Sequence, residues 1–297
     1  MNLRDMQYLV AVAELRSFSG AAQQCHVSQS TLSGQIKRLE EWLGVQIFER
    51  TNKRVMPTDV GETIIRSASR IVREVESIRD AAESAQDPFA SKFRIGAFPT
   101  LATYFYCDLV SVVKAELPRL RLVLVEDKTA ALVQKLKDGD LDAALLALPV
   151  HDDSLVCQPL FEEPFYLAVP DDHPLADHEQ VDQSTLGRHT LLLLEEGHCL
   201  RDQALDICRH HDAGEQQDLR ATGLETLRHM VRAGTGITLF PEIAIRAGET
   251  GIRYLPFVPP APTRRIGLFY RKTSATREVV QRMDALLRAM TAERATG

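Results

Sequence analysis

The chain reads as an α/β protein that opens with an all-α winged helix-turn-helix and continues into two small α/β lobes. Three features predict this. Two short helical patterns meet at a tight turn within the first 45 residues, an unbroken helical seam follows from Thr58, and strand and helix patterns alternate from Ser91 to the end. At 297 residues the chain is long enough for about two domains with real cores. The expected divisions are a winged helix-turn-helix domain at 1–58, a linker helix at 59–88, and a domain of two α/β lobes at 89–297. Lobe I of the last would comprise 89–163 and 266–297, and lobe II 164–265.

Leu3, Met6, Leu9, Val10 and Ala13 share one helical face. Ser17-Phe18-Ser19 reads as a break and N-cap before a short helix through Gly20-Ala21-Ala22 to about Cys25. His26-Val27 then turns the chain. Ser28 caps a third helix through Leu32, Ile36, Leu39 and Leu43, with Gly44 placed to end it. Short helices joined this way, the later one rich in Ser, Thr, Gln and Lys, form a helix-turn-helix pattern. Val45–Phe48 and Val55–Met56 flank a basic polar turn, which reads as a β-hairpin wing stopped by Pro57. Thr58 caps a long helix to about Asp87, along which Ile64, Ala68, Ile71, Val75, Ile78, Ala82 and Ala85 are spaced 4, 3, 4, 3, 4, 3. That spacing is the seam of a two-stranded coiled coil, and it favours a homodimer over a helix packed on its own domain.

Beyond Ser91 the expected strands are 93–98, 120–125, 143–148, 165–169, 190–194, 237–240 and 266–271. The expected helices are 101–117, 130–137, 200–209, 224–233 and 275–290. Such alternation predicts parallel sheets covered by helices.

Charge and cysteine content narrow the function classes. The formal net charge is −6 from 35 Lys+Arg and 41 Asp+Glu, so any nucleic-acid contact must be local. Residues 16–58 carry six basic groups against three acidic ones, whereas residues 1–87 together balance 11 against 12. No apolar run approaches the roughly 18 residues a membrane span needs, and Met1–Val12 lacks the features of a signal peptide. Five cysteines are too few and too uneven for a secreted disulfide framework. A cytoplasmic protein with reduced thiols is expected.

In a helix-turn-helix the second helix enters the major groove. Gln29, Ser30, Thr31 and Ser33 would meet base edges, with Gln35 and Lys37 one turn on. Lys37 and Arg38 suit phosphates, and the wing residues Arg50, Lys53 and Arg54 suit the backbone or minor groove. The pattern by itself fits a solvated polar face and an ordinary basic turn equally well.

Phe18-Ser19-Gly20-Ala21-Ala22, the run from Val27-Ser28-Gln29-Ser30-Thr31-Leu32 to Ile36, Leu39-Glu40, Leu43-Gly44 and Phe48-Glu49-Arg50 resemble the LysR-type transcriptional regulators. So does Thr58-Asp59-Val60-Gly61, and the resemblance continues along the whole chain. Within that family, Gly197-His198-Cys199-Leu200-Arg201-Asp202-Gln203-Ala204 with Cys208 is similar to the members that sense hydrogen peroxide. Most other members lack this cysteine pair. Ser30 stands where the peroxide-sensing members often have Pro, and Glu196 where Asp is common.

The resemblance implies a periplasmic-binding-protein-like regulatory domain and double-stranded promoter DNA as partner. It also implies homodimers assembling into homotetramers, contact with RNA polymerase, and activation of transcription. Hydrogen peroxide would be the signal and a cellular dithiol the reductant, with no cofactor, no metal and no enzymatic role. Cys199 would be oxidised and Cys208 would resolve it, while Thr100, Thr129 and His198 would hold the peroxide. If 200–208 is one helix, the two cysteines lie about 13.5 Å apart along its axis. A disulfide needs Cα atoms within about 7 Å, so the pair can bridge only if this helix unwinds. The position of Cys199 at a helix N-terminus near Arg201 predicts a lowered thiol pKa.

Other readings stay open from sequence. The lobes could bind a small metabolite with Cys199 incidental, or the chain could be a thiol peroxidase. Two helical cysteines are also commonly packing residues. His198, Cys199, Cys208, His210 and His211 offer zinc-type ligands, but in no recognised spacing. Cys25, Cys107 and Cys157 read as small core hydrophobes, and Ala233-Gly234-Thr235-Gly236 as a simple turn.

Overall fold

The structure, a computed structural model, describes the backbone of residues 1–51, 54–209, 214–246 and 248–296. Side chains are described within those ranges except at 50, 51, 54, 80, 81, 83, 84, 188, 190, 208, 209, 214–220 and 293–296. The chain forms two compact units, Met1–Ala82 and Glu83–Gly297.

The first unit contains α1 (Leu3–Leu15), α2 (Phe18–Gln24), α3 (Gln29–Leu43), β1 (Phe48–Thr51), β2 (Arg54–Pro57) and the start of α4 (Asp59–Gln86). Hydroxyl caps set the turns. Ser17 Oγ accepts from Gly20 N at 3.1 Å and Ser28 Oγ accepts from Thr31 N at 3.1 Å, while Gly44 ends α3 in the left-handed region. Leu9, Val12, Ala21, Leu32, Ile36 and Phe48 lie in one core. The wing begins at Phe48, not Val45, because the Glu40 carboxylate takes the N–H groups of Ile47 (2.8 Å) and Phe48 (3.1 Å). Pro57 is the last residue of the hairpin, opposite Phe48, and thus stops it from inside the ladder. At Gly61 a Cβ would lie 2.1 Å from the Ile47 carbonyl oxygen, so only glycine lets α4 start against the wing.

The α4 seam divides. Ala68 is enclosed in its own domain's core, with Ile64, Ile65 and Val72 packed around it. Ile71 and Ile78 are 45% and 68% exposed, Val75 is half-buried and Ala82 is exposed. The heptad expectation is therefore corrected at its first turns: Ala68 is unavailable to a partner because this stretch of α4 completes the winged helix.

The second unit contains β3 (Lys92–Ala97), α5 (Pro99–Glu116), β4 (Arg121–Glu126), α6 (Thr129–Asp138), β5 (Ala143–Ala147) and β6 (Leu155–Val169). It continues with β7 (Thr190–Leu194), α7 (Cys199–Arg209), β8 (Gly214–Ala221), α8 (Leu224–Arg232), β9 (Thr238–Pro241), β10 (Arg253–Pro256), β11 (Thr263–Arg271) and α9 (Arg277–Thr296). The main sheet has the order β10-β6-β11-β5-β3-β4, with β9 also on β6. The expected parallel sheets are only partly present. β3 pairs in parallel with β4 and β5, and β7 with β8, whereas β6, β9, β10 and β11 join antiparallel.

The cause is β6, fifteen residues long. Its stretch 155–164 is interrupted in sequence by Pro159, Glu162, Glu163 and Pro164, which hides a strand from any apolar pattern. It pairs with β11 through Pro164 and then, from Phe165, with β9 and β10. One core surrounds β3, α5, β5 and α9, and two others fill the region built on β7, β9 and β10. β6 and β11 run from the first core toward the others. Among the described residues no helix is long and apolar enough to cross a membrane.

Candidate redox site and nucleic-acid interface

Cys199 is the first residue of α7. The helix anchors its apolar face, Leu200 and Ala204, in the cores around β7, while half-buried Cys199 packs against the core around β3 and α5. Burial raises the thiol pKa above its ordinary value. The Arg264 charge, the Thr129 hydroxyl and the Leu200 N–H pull it down, and Asp202 pushes it further up. The expected lowered pKa is thus corrected, because desolvation outweighs the helix N-terminus. The cation that acts on the thiol here is Arg264, while Arg201 donates through Nη1 to the Leu194 carbonyl at 3.1 Å.

Arg264 is wholly buried and held on several sides. It forms an ion pair with Glu163 at 2.6 Å, its Nη1 donates to Thr100 Oγ1 at 3.1 Å, and its Nη2 donates to the Thr100 carbonyl at 3.3 Å. The guanidinium lies 5.2 Å from the centroid of Phe98. Glu163 faces Arg264 directly across the β6–β11 ladder, and its second oxygen accepts from Ile243 N at 3.1 Å. Neither Arg264 nor Glu163 belongs to a motif recognisable in the sequence. Their charge is the one signal in the sequence, in stretches that no apolar pattern marks as strands.

Thr129 opens α6, and its hydroxyl lies against the Cys199 thiol. That hydroxyl is buried and has no hydrogen bond of good geometry to any described protein atom. Thr100, by contrast, is satisfied by Arg264. His198 is buried, 3.8 Å from Glu195, and its pKa is lowered first by burial and then by the Lys128 charge, against the pull of Glu195. It is neutral near pH 7. The Cys208 backbone lies in the same unbroken helix as Cys199, so their Cα atoms stand about 13.5 Å apart by helical rise.

In the winged helix, Gln29, Ser30, Thr31, Lys37 and Arg38 are exposed on α3, while Ser33 and Gln35 are half-buried. Ser28 Oγ lies 2.9 Å from Ser30 Oγ and 2.7 Å from Thr31 Oγ1, so the cap also orients two of the polar side chains. Among the described residues Lys37 makes a loose 3.8 Å contact with Glu41. Lys53 lies outside the described residues, as do the side chains of Arg50 and Arg54.

Residues 3–62 match the family described as bacterial regulatory helix-turn-helix protein, lysR family, and residues 86–292 match the LysR substrate binding domain. The chain belongs to the LysR family. It is 42% identical over 291 residues to the DNA-binding transcriptional dual regulator OxyR of Escherichia coli K12, covering 97% of this chain and 95% of that protein. A full-length OxyR of Pseudomonas aeruginosa with a cysteine-to-aspartate change superposes with a TM-score of 0.72 at 35% identity, covering 97% and 95% of the two chains. A hydrogen peroxide-bound cysteine mutant of Corynebacterium glutamicum OxyR gives 0.67 at 33% identity, covering 98% and 93%.

In this LysR-family chain the remaining cysteines are dispersed. Cys25 is half-buried against the winged-helix core and Cys157 is half-buried in β6. Cys107 is exposed on α5, which corrects its reading as a core residue. Among the described residues no group of His, Cys, Asp or Glu is placed to hold a metal ion. His210 and His211 lie outside them.

Proposed function

We propose that this protein is a cytoplasmic regulator of transcription that binds promoter DNA through its winged helix and senses hydrogen peroxide through a reversible Cys199–Cys208 disulfide. The observation that carries the reading is the buried Thr129 hydroxyl, set directly against a thiol that also feels the Arg264 charge. A buried hydroxyl held beside a nucleophile suits a small polar reactant that can hydrogen-bond to it as the sulfur attacks. Thr129 and His198 would align the peroxide oxygens, and Thr100 would hold Arg264 in place.

The thiolate attacks one peroxide oxygen and the O–O bond breaks. The departing hydroxide takes up a proton, leaving Cys199 sulfenic acid and water. The Cys208 thiol then attacks the Cys199 sulfur, a second water leaves, and the disulfide stores the two-electron oxidation. A dithiol reverses it by exchange. Because α7 cannot hold both cysteines within bonding distance while helical, closure requires refolding of this segment, which supplies the conformational signal. Homodimers would form through Ile71 and Ile78 on α4, with tetramers and RNA polymerase contact as further assemblies.

The test is peptide mapping of the reduced protein after a stoichiometric pulse of peroxide. A dithiol-reversible Cys199–Cys208 link is expected, and Cys199→Ser should lose the response to peroxide while retaining DNA binding. Cys199 and Cys208 remaining reduced while other thiols oxidise would overturn the reading.

A further inference from the structure

The loop 195–198, between β7 and the Cys199 end of α7, is strapped down by a residue of α6's N-terminus. Lys128 Nζ lies 3.0 Å from Glu195 Oε1 and donates to the Glu196 carbonyl at 2.8 Å. Its stem also covers the loop backbone. Gly197 has φ +88°, and a Cβ there would sit 3.0 Å from Lys128 Cδ. Glu195 in turn stands 3.8 Å from His198 Nε2. Lys128 is the N-cap residue of α6, so the strap fastens the loop beside Thr129, which faces Cys199.

We propose that Lys128 is a positioning residue whose clasp on Glu195 and the Glu196 carbonyl retards the second, disulfide-forming step of the switch. This rests on the reading that Cys199 and Cys208 join. In that step the Cys199 sulfenic acid and the Cys208 thiol form an S–S bond and release water, so the two ends of α7 must approach. Moving the Cys199 end requires the loop to leave Lys128. The first step, attack on peroxide, occurs with the loop in place and does not require the clasp to open. The clasp thus holds the oxidised cysteine near Thr129 until α7 unwinds, setting a delay between sensing and switching. Lys128 and Glu195 side chains are 39% and 42% exposed, so the ion pair is screened, and its loss should alter a rate by roughly two- to fivefold.

Full-length reduced protein would be mixed rapidly with hydrogen peroxide, with sulfenic acid trapped by a dione and the bridged peptide quantified against time. Lys128→Met should leave sulfenic acid formation within about twofold of the parent while speeding bridge formation by roughly two- to fivefold. Glu195→Gln should speed it less, because the Glu196 carbonyl contact survives. The charge swap Lys128→Glu with Glu195→Lys should slow bridging back toward the parent rate. Raising ionic strength should speed bridging in the parent but not in Lys128→Met, a response that loss of packing alone would not produce. Unchanged or slower bridging in both single variants would overturn the clasp. Absence of any Cys199–Cys208 bridge in the parent would overturn the underlying switch, a separate and distinguishable failure.

Discussion

At Cys199 two opposing influences meet on one sulfur atom. Burial favours the neutral thiol, and the Arg264 charge with the Thr129 hydroxyl favours the thiolate. Because the net pKa is raised, alkylation by iodoacetamide should climb about tenfold per pH unit from pH 7 through the ordinary thiol range. A plateau already reached by pH 7 would contradict this environment. The same shift bears on stability. The folded chain holds this proton more tightly than the unfolded chain, so the contribution is complete below the unfolded thiol's pKa and is lost as pH rises toward the folded value. Arg264→Met would strand Glu163 in the core without its cation. It should cost about 3–5 kcal/mol in a urea melt and slow thiol alkylation at pH 7. His198 works in the opposite pH range. Its lowered pKa means that stability is present above the ordinary histidine value and declines as pH falls through it, and His198→Gln should flatten that decline.

Helix α4 performs two tasks along its length, and substitutions should separate them. Ala68→Glu places a charge in the winged-helix core and should unfold that unit. Ile78→Glu, at a position 68% exposed, should leave the melt unchanged while shifting sedimentation toward monomer. Equal effects of the two changes would show that the seam is not divided. A helix repeats every 3.6 residues and a heptad seam every 3.5, so the spacing reads identically in both stretches. Only contact with the winged helix tells them apart. Helix α3 carries a similar lesson at smaller scale. Ser28 was identifiable as an N-cap from its position before a polar, amphipathic run, and its hydroxyl also reaches Ser30 and Thr31. Ser28→Ala should cost about 1 kcal/mol of stability.

For the molecule as a whole, a net charge of −6 has to coexist with DNA binding. Affinity should therefore follow the local cations of the winged helix. Arg38→Gln should weaken binding about equally for all sequences and reduce the slope of log affinity against log salt by about one, measured by fluorescence anisotropy. Gln29→Ala should instead relax sequence preference. If Arg38→Gln changed preference and left the salt slope intact, the assignment of that side chain to phosphate would fail.

What the sequence determined by itself lies in local chemistry. Caps at Ser17 and Ser28, the glycine at 44, the apolar period of α1 and α3, the strands β5 and β7, and the continuity of α7 between Cys199 and Cys208 are all set by neighbours within a turn or two. That continuity is what makes the cysteine spacing incompatible with a bond in the helical state. The tertiary structure decided whatever depended on groups distant in the chain. The 155–164 stretch of β6 was hidden by its prolines and glutamates until β11 supplied the partner strand. The polar strand β8 gave no periodic signal at all. The pKa of Cys199 was expected low from its helix position, yet the balance is set by burial against a core contributed by β3 and α5 and by Arg264, 65 positions away. Desolvation and Coulomb energy depend on separation in space, which the order of residues encodes only through the completed fold.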